Sequence, residues 1–488
     1  MAYLLFANVL HYVLSFAPSM HLAALNQASA FAIPFITTSY SRSYSANVTA
    51  PQADALWSLA SGSFSIGAAV GSLSFGFIAD RIGRVKTILL LKNVICIAGC
   101  VAQFVAVEPL ERFELLILGR FLVGLANGQC LMTAVLMAEC APDEKAGAIG
   151  YTSMVFPVVN AVIGAAILLP PLLGQAHLWH YALLAPAIPS ALHLASFFFL
   201  KESPKHLYIT ESREKEAEES FWFYRGAQAD WAKQREEYEV EKQLASAEKE
   251  VSLWQILKTR HLRWPLIICV VAAFASNFGG IDIAILYSTD LIRAMGLTDE
   301  QAPWFTVWAL QVPSVAFVVL TPLLGLMDRF GRKTMYLVGV AIGIVATVCL
   351  FVAGQLTPGT LARTIVGGSS LFLSLFGQLL GPFHTMIVLP LEITPQAGRA
   401  LTSGASWGSS WLSAVMISLL YPPLEGLVGS YATLPLTAGA AVAFLFLLAK
   451  MPESRGKTVE EIASIWKNDR SGVVVADTEM NSYGSTKR

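Results

Sequence analysis

The sequence is poor in charged residues. Asp, Glu, Lys and Arg make up only 14% of its 488 residues, against about 25% in ordinary soluble domains. So few charges cannot give the 55% of hydrophobic residues a polar covering in water, and this excludes a soluble globular protein. The formal net charge of −1 provides no basic surface for a polyanion, so no nucleic-acid partner is predicted.

Cysteine is also scarce, and recognisable catalytic motifs are missing. The six cysteines are Cys96, Cys100, Cys130, Cys140, Cys269 and Cys349. All lie in or beside apolar runs, which predicts buried small side chains rather than a disulfide framework. The sequence has no nucleophile elbow, phosphate-binding glycine loop or metal-ligand spacing, so we predict no enzyme, cofactor or metal site.

Long apolar runs are what the sequence has in abundance. A helix needs about 20 residues to cross the hydrocarbon core of a bilayer, and residues 87–106 supply them with Lys92 as the one charge. Dividing the runs at charges and turn residues predicts an all-α multi-pass membrane protein with twelve transmembrane helices. The predicted spans are 4–29, 55–79, 87–107, 113–134, 147–170, 179–200, 264–293, 304–327, 335–355, 361–391, 401–422 and 430–450.

The distribution of basic residues predicts the orientation in the membrane, because short basic loops stay on the cytoplasmic side. The basic residues that follow spans 2 and 8 are Arg81, Arg84, Lys86, Arg329, Arg332 and Lys333. The loop at 171–178, by contrast, has no Asp, Glu, Lys or Arg. Both termini are therefore expected in the cytoplasm. A glycosylation triplet at Asn47 falls in the first outer loop, which predicts a plasma-membrane glycoprotein.

The charged segment 201–262 interrupts the apolar runs and contains helical patterns. It predicts a cytoplasmic helical linker between two six-helix bundles, at 1–200 and 263–450. The remainder, 451–488, is predicted to be a cytoplasmic tail. We expect it to be disordered after about residue 463, because its composition turns polar and lacks bulky apolar residues.

The two halves share a short motif at the end of their second spans. The order D-R-x-G-R occurs at 80–84 and again at 328–332. Gly83 and Gly331 permit a tight turn between neighbouring helices, and the arginines can hold each loop at the anionic inner leaflet. The repetition indicates an internal duplication.

Four further motifs accompany this repeat: G-R-F-x-x-G at 119–124, E-x-A-P at 139–142, K-E-S-P-K-H-L at 201–207 and P-E-S-R-G-K-T-V-E-E-I at 452–462. In these the chain resembles the sugar porters, the branch of the major facilitator superfamily that holds the facilitative glucose transporters. The likeness extends from the first span to just past the last. It implies a major facilitator fold and alternating-access transport of a small solute.

The resemblance also assigns roles to charged residues at the cytoplasmic ends of the spans. In the family such residues form a gate, whose ion pairs join the halves when the inner side is closed. Each exposed pair is worth roughly 0–1 kcal/mol, but together they can bias a two-state equilibrium. The expected gate residues are Asp80, Arg81, Arg84, Arg120, Glu139, Glu202, Asp328, Arg329, Arg332, Glu392, Arg399 and Glu453.

A substrate cavity is expected to be lined by residues in the interiors of the spans. The candidates are Asn26, Gln27, Met154, Asn160, Asn277, Asp282, Gln311, Gln378, His384 and Ser410. Several depart from the family pattern: Met154 stands where the family has Gln, and the Q-Q-x-S-G-x-N run of span 7 becomes 276–282 here. Losing these hydroxyl-binding groups disfavours ordinary glucose transport.

Three hypotheses for the function remain open. The first is facilitated diffusion of a hexose or a related sugar or polyol, favoured by Asn26, where the family's proton symporters have Asp. The second is a proton-coupled or charged-solute transporter, because Asp282 inside a span is costly unless it faces a cavity or a partner. The third is a nutrient sensor that keeps the fold without transport. Gly280 and Gly381 predict helix breaks that moving helices would use.

Overall fold

The computed structural model describes residues 11, 13–45, 47–141, 143–226, 228–247 and 251–467. In these ranges the chain is all-α, and nine helical stretches are long and apolar enough to cross a membrane. The stretch Leu401–Lys450 is 50 residues long and therefore holds two spans. Two further spans, the first at 17–44 and the fifth at Asp143–Ile167, are not among these nine stretches. Together they give twelve spans, which confirms the predicted fold class.

The six spans of the N-terminal half follow one another with short connections. Their helical segments are Ala17–Gln27 and Ser29–Tyr44 in span 1, Ala50–Ile82 in span 2, Lys86–Leu91 and Lys92–Val107 in span 3, Phe113–Asn127 and Cys130–Cys140 in span 4, Asp143–Ile167 in span 5, and Trp179–Leu184, Ala187–Ala195 and Ser196–Phe198 in span 6. Span 1 continues well past the predicted boundary at residue 29 and ends where Ser45 adopts a φ of 52°. This left-handed conformation stops a helix.

The C-terminal half has more interrupted helices. Its segments are Arg260–Ser276, Asn277–Ile281, Asp282–Leu286 and Ser288–Ala294 in span 7, Gln301–Phe305, Thr306–Gln311 and Val312–Leu323 in span 8, Arg332–Gln355 in span 9, Leu361–Leu380 and Pro382–Ile393 in span 10, Gln396–Val428 in span 11, and Gly429–Thr433 and Leu434–Lys450 in span 12. The short helix Leu326–Phe330 lies between spans 8 and 9.

The charged segment between the halves contains four helices, Pro204–Ile209, Glu214–Arg225, Trp231–Ala247 and Leu253–Lys258. The second of them buries Ala217, Phe221 and Tyr224, a spacing that puts these side chains on one face of the helix. Its remaining faces carry the charges. The segment is therefore a set of amphipathic helices, while its role as a domain boundary stays a prediction.

A last helix, Val459–Lys467, follows span 12 and buries Ile462 and Ala463. The helix continues past residue 463, where disorder was expected to begin, because Ile462 and Trp466 pack into the apolar core of the C-terminal half. The rest of that prediction concerns residues from 468 onward and lies outside the described residues.

Small residues allow close packing within the N-terminal half. A Cβ atom on Gly67 would meet the backbone of Phe121, and one on Gly124 would meet the backbone of Phe64. Spans 2 and 4 therefore approach backbone to backbone, as helices in membranes commonly do. Large apolar side chains such as Phe77 and Leu445 are instead exposed, and form the surface that faces lipid.

The described cysteines are free, in agreement with the prediction of buried small side chains. Cys96, Cys100, Cys140 and Cys269 are buried, and Cys349 is half-buried. The side chain of Cys130 lies outside the described residues.

Lys92, the one charged residue of predicted span 3, is fully buried. Its Nζ donates to the backbone oxygen of Ser15 at 2.8 Å and to the Ser15 hydroxyl at 2.9 Å, and lies 3.3 Å from Nδ1 of His193. Nε2 of His193 is in turn 3.0 Å from Nδ1 of His11. Spans 1 and 6 thus supply the acceptors that a buried ammonium group requires.

Candidate functional site

A cavity of about 220 Å³ lies between the two halves of the chain. Its wall includes Phe16, Asn127 and Pro157 from the N-terminal half and Gln311 and Trp407 from the C-terminal half. Cavities that hold drug-sized ligands are typically about 300–1,000 Å³. The cavity is therefore suited to a smaller solute, and both halves contribute to its wall.

The structure brings six of the ten predicted substrate residues together in this cavity. They are Met154, Asn277, Asp282, Gln311, Gln378 and Ser410. All of them except Met154 belong to spans 7, 8, 10 and 11. The C-terminal half therefore supplies every polar side chain of the predicted set that lines the cavity.

The other four predicted residues are buried elsewhere. Asn160 donates to the backbone oxygens of Val13 and Phe156, which fixes it between spans 5 and 1. His384 is buried beside Phe383, its ring centroid 5.9 Å from that of the phenylalanine. Asn26 and Gln27 bond to the opposite half and are described below.

Span 7 is broken where it borders the cavity. Asn277–Ile281 forms a wide π-helical turn, and within it Gly280 adopts a φ of 88° that only glycine tolerates easily. A new helical segment then starts at Asp282. The break removes regular helical hydrogen bonding and directs polar groups to the cavity, a geometry common at transporter binding sites.

Hydrogen bonds hold the polar side chains of this wall in place. Nδ2 of Asn277 donates to the Ser413 hydroxyl at 2.6 Å and to the backbone oxygen of Ser410 at 2.6 Å. Gln378 exchanges hydrogen bonds with the hydroxyl of Ser276, at 2.6 and 2.9 Å. Spans 7, 10 and 11 therefore form one hydrogen-bonded wall, because their polar side chains are bonded to each other.

Two tryptophans of span 11 that were not among the predicted substrate residues also line the cavity. The rings of Trp407 and Trp411 stand at right angles, with centroids 6.3 Å apart. Their spacing of four residues places both on one face of a helix. That periodicity, combined with the candidate at Ser410, was the signal that could have found them.

Three polar atoms at this site have no hydrogen-bond partner within the described residues. They are the indole nitrogens Nε1 of Trp407 and Trp411 and the carboxylate oxygen Oδ2 of Asp282. Buried donors and acceptors are normally satisfied. The cavity therefore offers two N–H donors and one carboxylate oxygen to a ligand.

Beyond the cavity, a group of hydrogen bonds joins span 1 to spans 7 and 8; we call these the cross-half contacts. Gln27 donates to the backbone oxygen of Pro303 at 3.1 Å and accepts from the Thr289 hydroxyl at 3.2 Å. The Ser29 hydroxyl donates to Asp290 at 2.5 Å and accepts from Arg293 at 3.0 Å. The two halves are thereby closed against each other at this end.

Arg120 belongs to the interior rather than to the cytoplasmic clusters expected from the sequence. It is fully buried, donates through Nη2 to Oδ1 of Asn26 at 3.1 Å, and lies 5.8 Å from the centre of the Phe64 ring. Asn26 in turn donates to the backbone oxygen of Ile285 in the other half. The reason for this position is simple: Arg120 lies in the interior stretch of span 4, several turns before the span ends at Cys140.

The repeated motif of the N-terminal half forms a compact cluster at the other end of the bundle. Glu202 accepts hydrogen bonds from the backbone amides of Arg84 and Val85, each at 3.0 Å. The Arg84 side chain lies 2.9 Å from Glu139 and 3.8 Å from Asp80. We call these residues the N-terminal motif cluster.

The C-terminal half repeats this cluster residue for residue. Glu453 accepts from the amides of Arg332 and Lys333 at 2.8 and 3.2 Å. The Arg332 side chain lies 3.2 Å from Glu392 and 3.0 Å from Asp328. Seryl hydroxyls complete both sites: Ser203 donates to Glu139 at 2.6 Å and Ser454 donates to Glu392 at 2.5 Å.

The ion pairs of the two motif clusters each join residues of a single half in the described part of the chain. Arg81 and Arg329 are exposed beside them. Arg399 donates to the backbone oxygen of Thr394 at 3.4 Å. At this end the halves are therefore not held together by the predicted gate residues, in contrast to the cross-half contacts at the other end.

Asn47, the predicted glycosylation site, is exposed immediately before span 2. No group of three or more His, Cys, Asp or Glu side chains capable of holding a metal ion occurs among the described residues.

A family model described as "Sugar (and other) transporter" matches residues 19–466. The facilitated glucose transporter member 3 of Bos taurus is 28% identical over 441 residues, which covers 88% of this chain and 87% of that protein. The human protein of the same name is 29% identical over 442 residues, with coverages of 88% and 86%.

Solved structures of the xylose transporter of E. coli have the same fold. Its partially occluded inward-open structure matches with a TM-score of 0.74 at 18% identity, covering 94% of this chain and all of that one. Its inward-open structure matches equally well, at 19% identity and 95% coverage of this chain. At these identities the likeness establishes the fold alone.

Proposed function

The chain belongs to the sugar (and other) transporter family, and on this premise we propose that it carries a hexose or a related sugar or polyol across a membrane by alternating-access facilitated diffusion. Family membership confirms the resemblance to the sugar porters. The relatives named above are transporters rather than enzymes, in agreement with the expectation from the sequence. Their printed substrates, glucose and xylose, support a small sugar as the cargo.

The observation that carries the proposal is the cavity between the halves together with its asymmetric closure. On one side Ser29, Gln27 and Asn26 bond directly to spans 7 and 8. On the other side the motif clusters pair within each half. These hydrogen bonds lie at one end of the interface, while spans 2 and 11 also lie close together farther along, where Leu73 is next to Gly408. Alternating access requires a site between two such bodies, because rocking of the halves opens the site to each side in turn.

Asn26 supports facilitated diffusion rather than proton symport. Its amide oxygen accepts a hydrogen bond from Arg120 at 3.1 Å. A carboxylate at this place could bind and release a proton beside the arginine, whereas an amide has no such proton. Movement of the solute down its own gradient is therefore the simpler mechanism.

The motif clusters are proposed as the inner gate. In each cluster a glutamate holds the start of the following span through backbone amides, and an arginine lies within reach of two acids. When the inner side closes, the same arginines and acids can exchange partners across the halves. The pairs of Asp80 and Asp328, whose carboxylates are exposed, are worth roughly 0–1 kcal/mol each and break easily enough for such an exchange.

Proton coupling through Asp282 is the second candidate, and the unpartnered carboxylate oxygen in the cavity favours it. A carboxylate within the membrane that faces a cavity can take up a proton from the side to which the cavity opens. Uptake driven by an imposed pH gradient would support this candidate over facilitated diffusion.

For the membrane and its sidedness, we infer a plasma-membrane location with both termini in the cytoplasm. The motif clusters carry the basic loops, which favours the cytoplasmic side for them. Asn47 is exposed at the other end of span 1, where an oligosaccharide chain would lie outside the cell.

The test is uptake by purified protein in proteoliposomes. We expect saturable entry of a radiolabelled hexose or polyol that is unaffected by an imposed pH gradient. Tight binding of such a solute without any flux would instead support a nutrient sensor. Lack of both binding and flux across a broad panel of sugars and polyols would contradict the proposal.

A further inference from the structure

We propose that the solute of this cavity carries a protonated amine together with hydroxyl groups, as an aminodeoxy sugar does, and that Asp282 binds the ammonium. The inference rests on the proposed transport function and specifies its substrate class. It is based on the three unpartnered polar atoms of the cavity and on the character of the wall around them.

Asp282 is the only ionisable side chain among the described residues that line the cavity. Its Oδ2 is buried without a partner in the described chain. Hydrogen bonds that involve a charged group are about twice as strong as neutral ones, and a desolvated carboxylate favours a cation above any neutral donor. An ammonium group on the solute supplies both the charge and the N–H donors.

The indoles of Trp407 and Trp411 define what the rest of the solute must offer. An indole N–H is a donor only, so each requires an acceptor on the ligand. An ammonium group has no acceptor, which means that a simple alkyl cation would leave both indoles unpartnered. Hydroxyl oxygens accept such bonds, and a sugar ring presents several of them.

Aromatic and aliphatic side chains make up most of the remaining wall. Phe16 and Phe383 contribute rings, and Leu375, Leu379 and Ile387 contribute aliphatic surface. A wall of this kind strengthens an ammonium–carboxylate pair because it keeps water away from it. The faces of aromatic rings also attract cations.

The experiment compares matched sugars in proteoliposomes. The probes are radiolabelled D-glucose and three aminodeoxyglucoses that carry the ammonium at carbon 2, 3 or 6. We expect at least one amino sugar to be taken up with a kcat/KM about tenfold above that of glucose, the difference expected between a charge-assisted and a neutral hydrogen bond. Asp282→Asn should abolish this preference.

Two further variants separate a loss of charge from a loss of fold. Asp282→Glu keeps the carboxylate and should retain the preference for the amino sugar. Ser314→Ala alters another cavity residue without a charge, so it should change uptake of both sugars by the same factor. Surface abundance and monodispersity are measured for every variant.

Two results would overturn the inference. If glucose crosses as well as every amino sugar, or if Asp282→Asn leaves the ratio unchanged in a folded protein, the substrate class is wrong while the proposed transport function stands. If no hexose crosses saturably, with or without an amine, the proposed function fails and the inference fails with it.

Discussion

Oδ1 of Asn26 accepts a hydrogen bond from Nη2 of Arg120 at 3.1 Å, and both residues are buried in the N-terminal half. Nδ2 of the same asparagine donates to the backbone oxygen of Ile285 in the other half. One amide thus connects a buried guanidinium group to a contact between the halves. A change of charge at residue 26 will therefore affect both the Arg120 guanidinium group and the contact between the halves.

We therefore expect Asn26→Asp to make uptake respond to a pH gradient. A carboxylate beside Arg120 forms a buried ion pair, and protonation of the carboxylate weakens that pair. Proton binding then becomes coupled to the movement of the halves. The measurement is solute uptake in proteoliposomes with and without an inward proton gradient.

Asn26→Gln is the control for this prediction, because it preserves the amide and changes only its reach. Solute uptake by the Asn26→Gln variant should be the same with and without the proton gradient, even if its rate differs from that of the original protein. An Asn26→Asp protein that reaches the membrane, transports the solute and ignores the gradient would refute the coupling.

The motif clusters predict a loss of transport rate without a loss of membrane insertion. Arg84→Ala removes the side chain that lies 2.9 Å from Glu139 and 3.8 Å from Asp80. The exposed pair with Asp80 contributes roughly 0–1 kcal/mol, and the better buried pair with Glu139 adds to it. We therefore expect flux to fall by up to about tenfold. Lys86→Ala, an exposed residue of the same loop, should transport normally. Equal flux for Arg84→Ala and the original protein, at equal surface abundance, would exclude the gating role.

Glu453 stabilises the start of span 9, because its carboxylate accepts from the amides of Arg332 and Lys333. Loss of an acceptor at a helix N-terminus costs about 0.5–2 kcal/mol. Glu453→Ala should accordingly lower the midpoint of thermal unfolding in detergent, and Glu202→Ala should do the same in the N-terminal half. Glu236→Ala, on the exposed face of a linker helix, should have no effect. A midpoint for Glu453→Ala that matches the Glu236→Ala control would contradict the prediction.

The motif glycines provide a separate test of the same loops. Gly331 has a φ of 90° and Gly83 a φ of 102°, and a Cβ atom on either would meet the carboxylate of Glu453 or Glu202. Each Gly→Ala change should destabilise the protein by about 1 kcal/mol or more, from backbone strain alone. Gly404→Ala in span 11 has open space around the new methyl group and should be neutral or slightly stabilising. Similar unfolding midpoints for all three variants would show that the turn conformation is not strained by a side chain.

The sequence predicted the fold because its signals are local. Apolar length predicts each span, and the duplicated D-R-x-G-R predicts two halves. The same locality explains the errors at helix ends: span 1 continues to Tyr44 and the last helix to Lys467. Polar residues such as Ser39 and Arg42 end a hydropathy pattern but do not end a helix.

The candidate site was predicted only in part, because contacts between distant segments leave no local signal. Polarity within a span identified Asp282 and Gln311, which do line the cavity. It could not separate them from Asn160 or Asn26, whose amides bond to other helices. For Trp411 the reverse applies: an aromatic residue in an apolar span resembles core, and in the sequence only its spacing from Trp407 and its place beside Ser410 indicate that it faces the cavity.

The cross-half contacts predict how the conformational equilibrium can be shifted. The Ser29 hydroxyl donates to Asp290 at 2.5 Å and accepts from Arg293 at 3.0 Å, so Ser29→Ala removes two bonds that exist only while the halves are closed at this end. We expect the population that is open at this end, which is the outward-open one in the proposed orientation, to rise about fivefold, from roughly 1 kcal/mol of lost hydrogen bonding.

The population can be measured through a single cysteine in the cavity, Ala414→Cys, in a protein whose native cysteines are replaced. Its rate of modification by a membrane-impermeant thiol reagent, added from the outside, should rise about fivefold when Ser29→Ala is present. Ser63→Ala is the matched control, because its buried hydroxyl bonds within its own helix to the Ala60 oxygen at 2.8 Å and joins no halves. The rate should stay the same in that variant. Equal rates for Ser29→Ala and Ser63→Ala would mean that the Ser29 bonds do not hold the outer end closed, since only a contact between the halves can bias their separation.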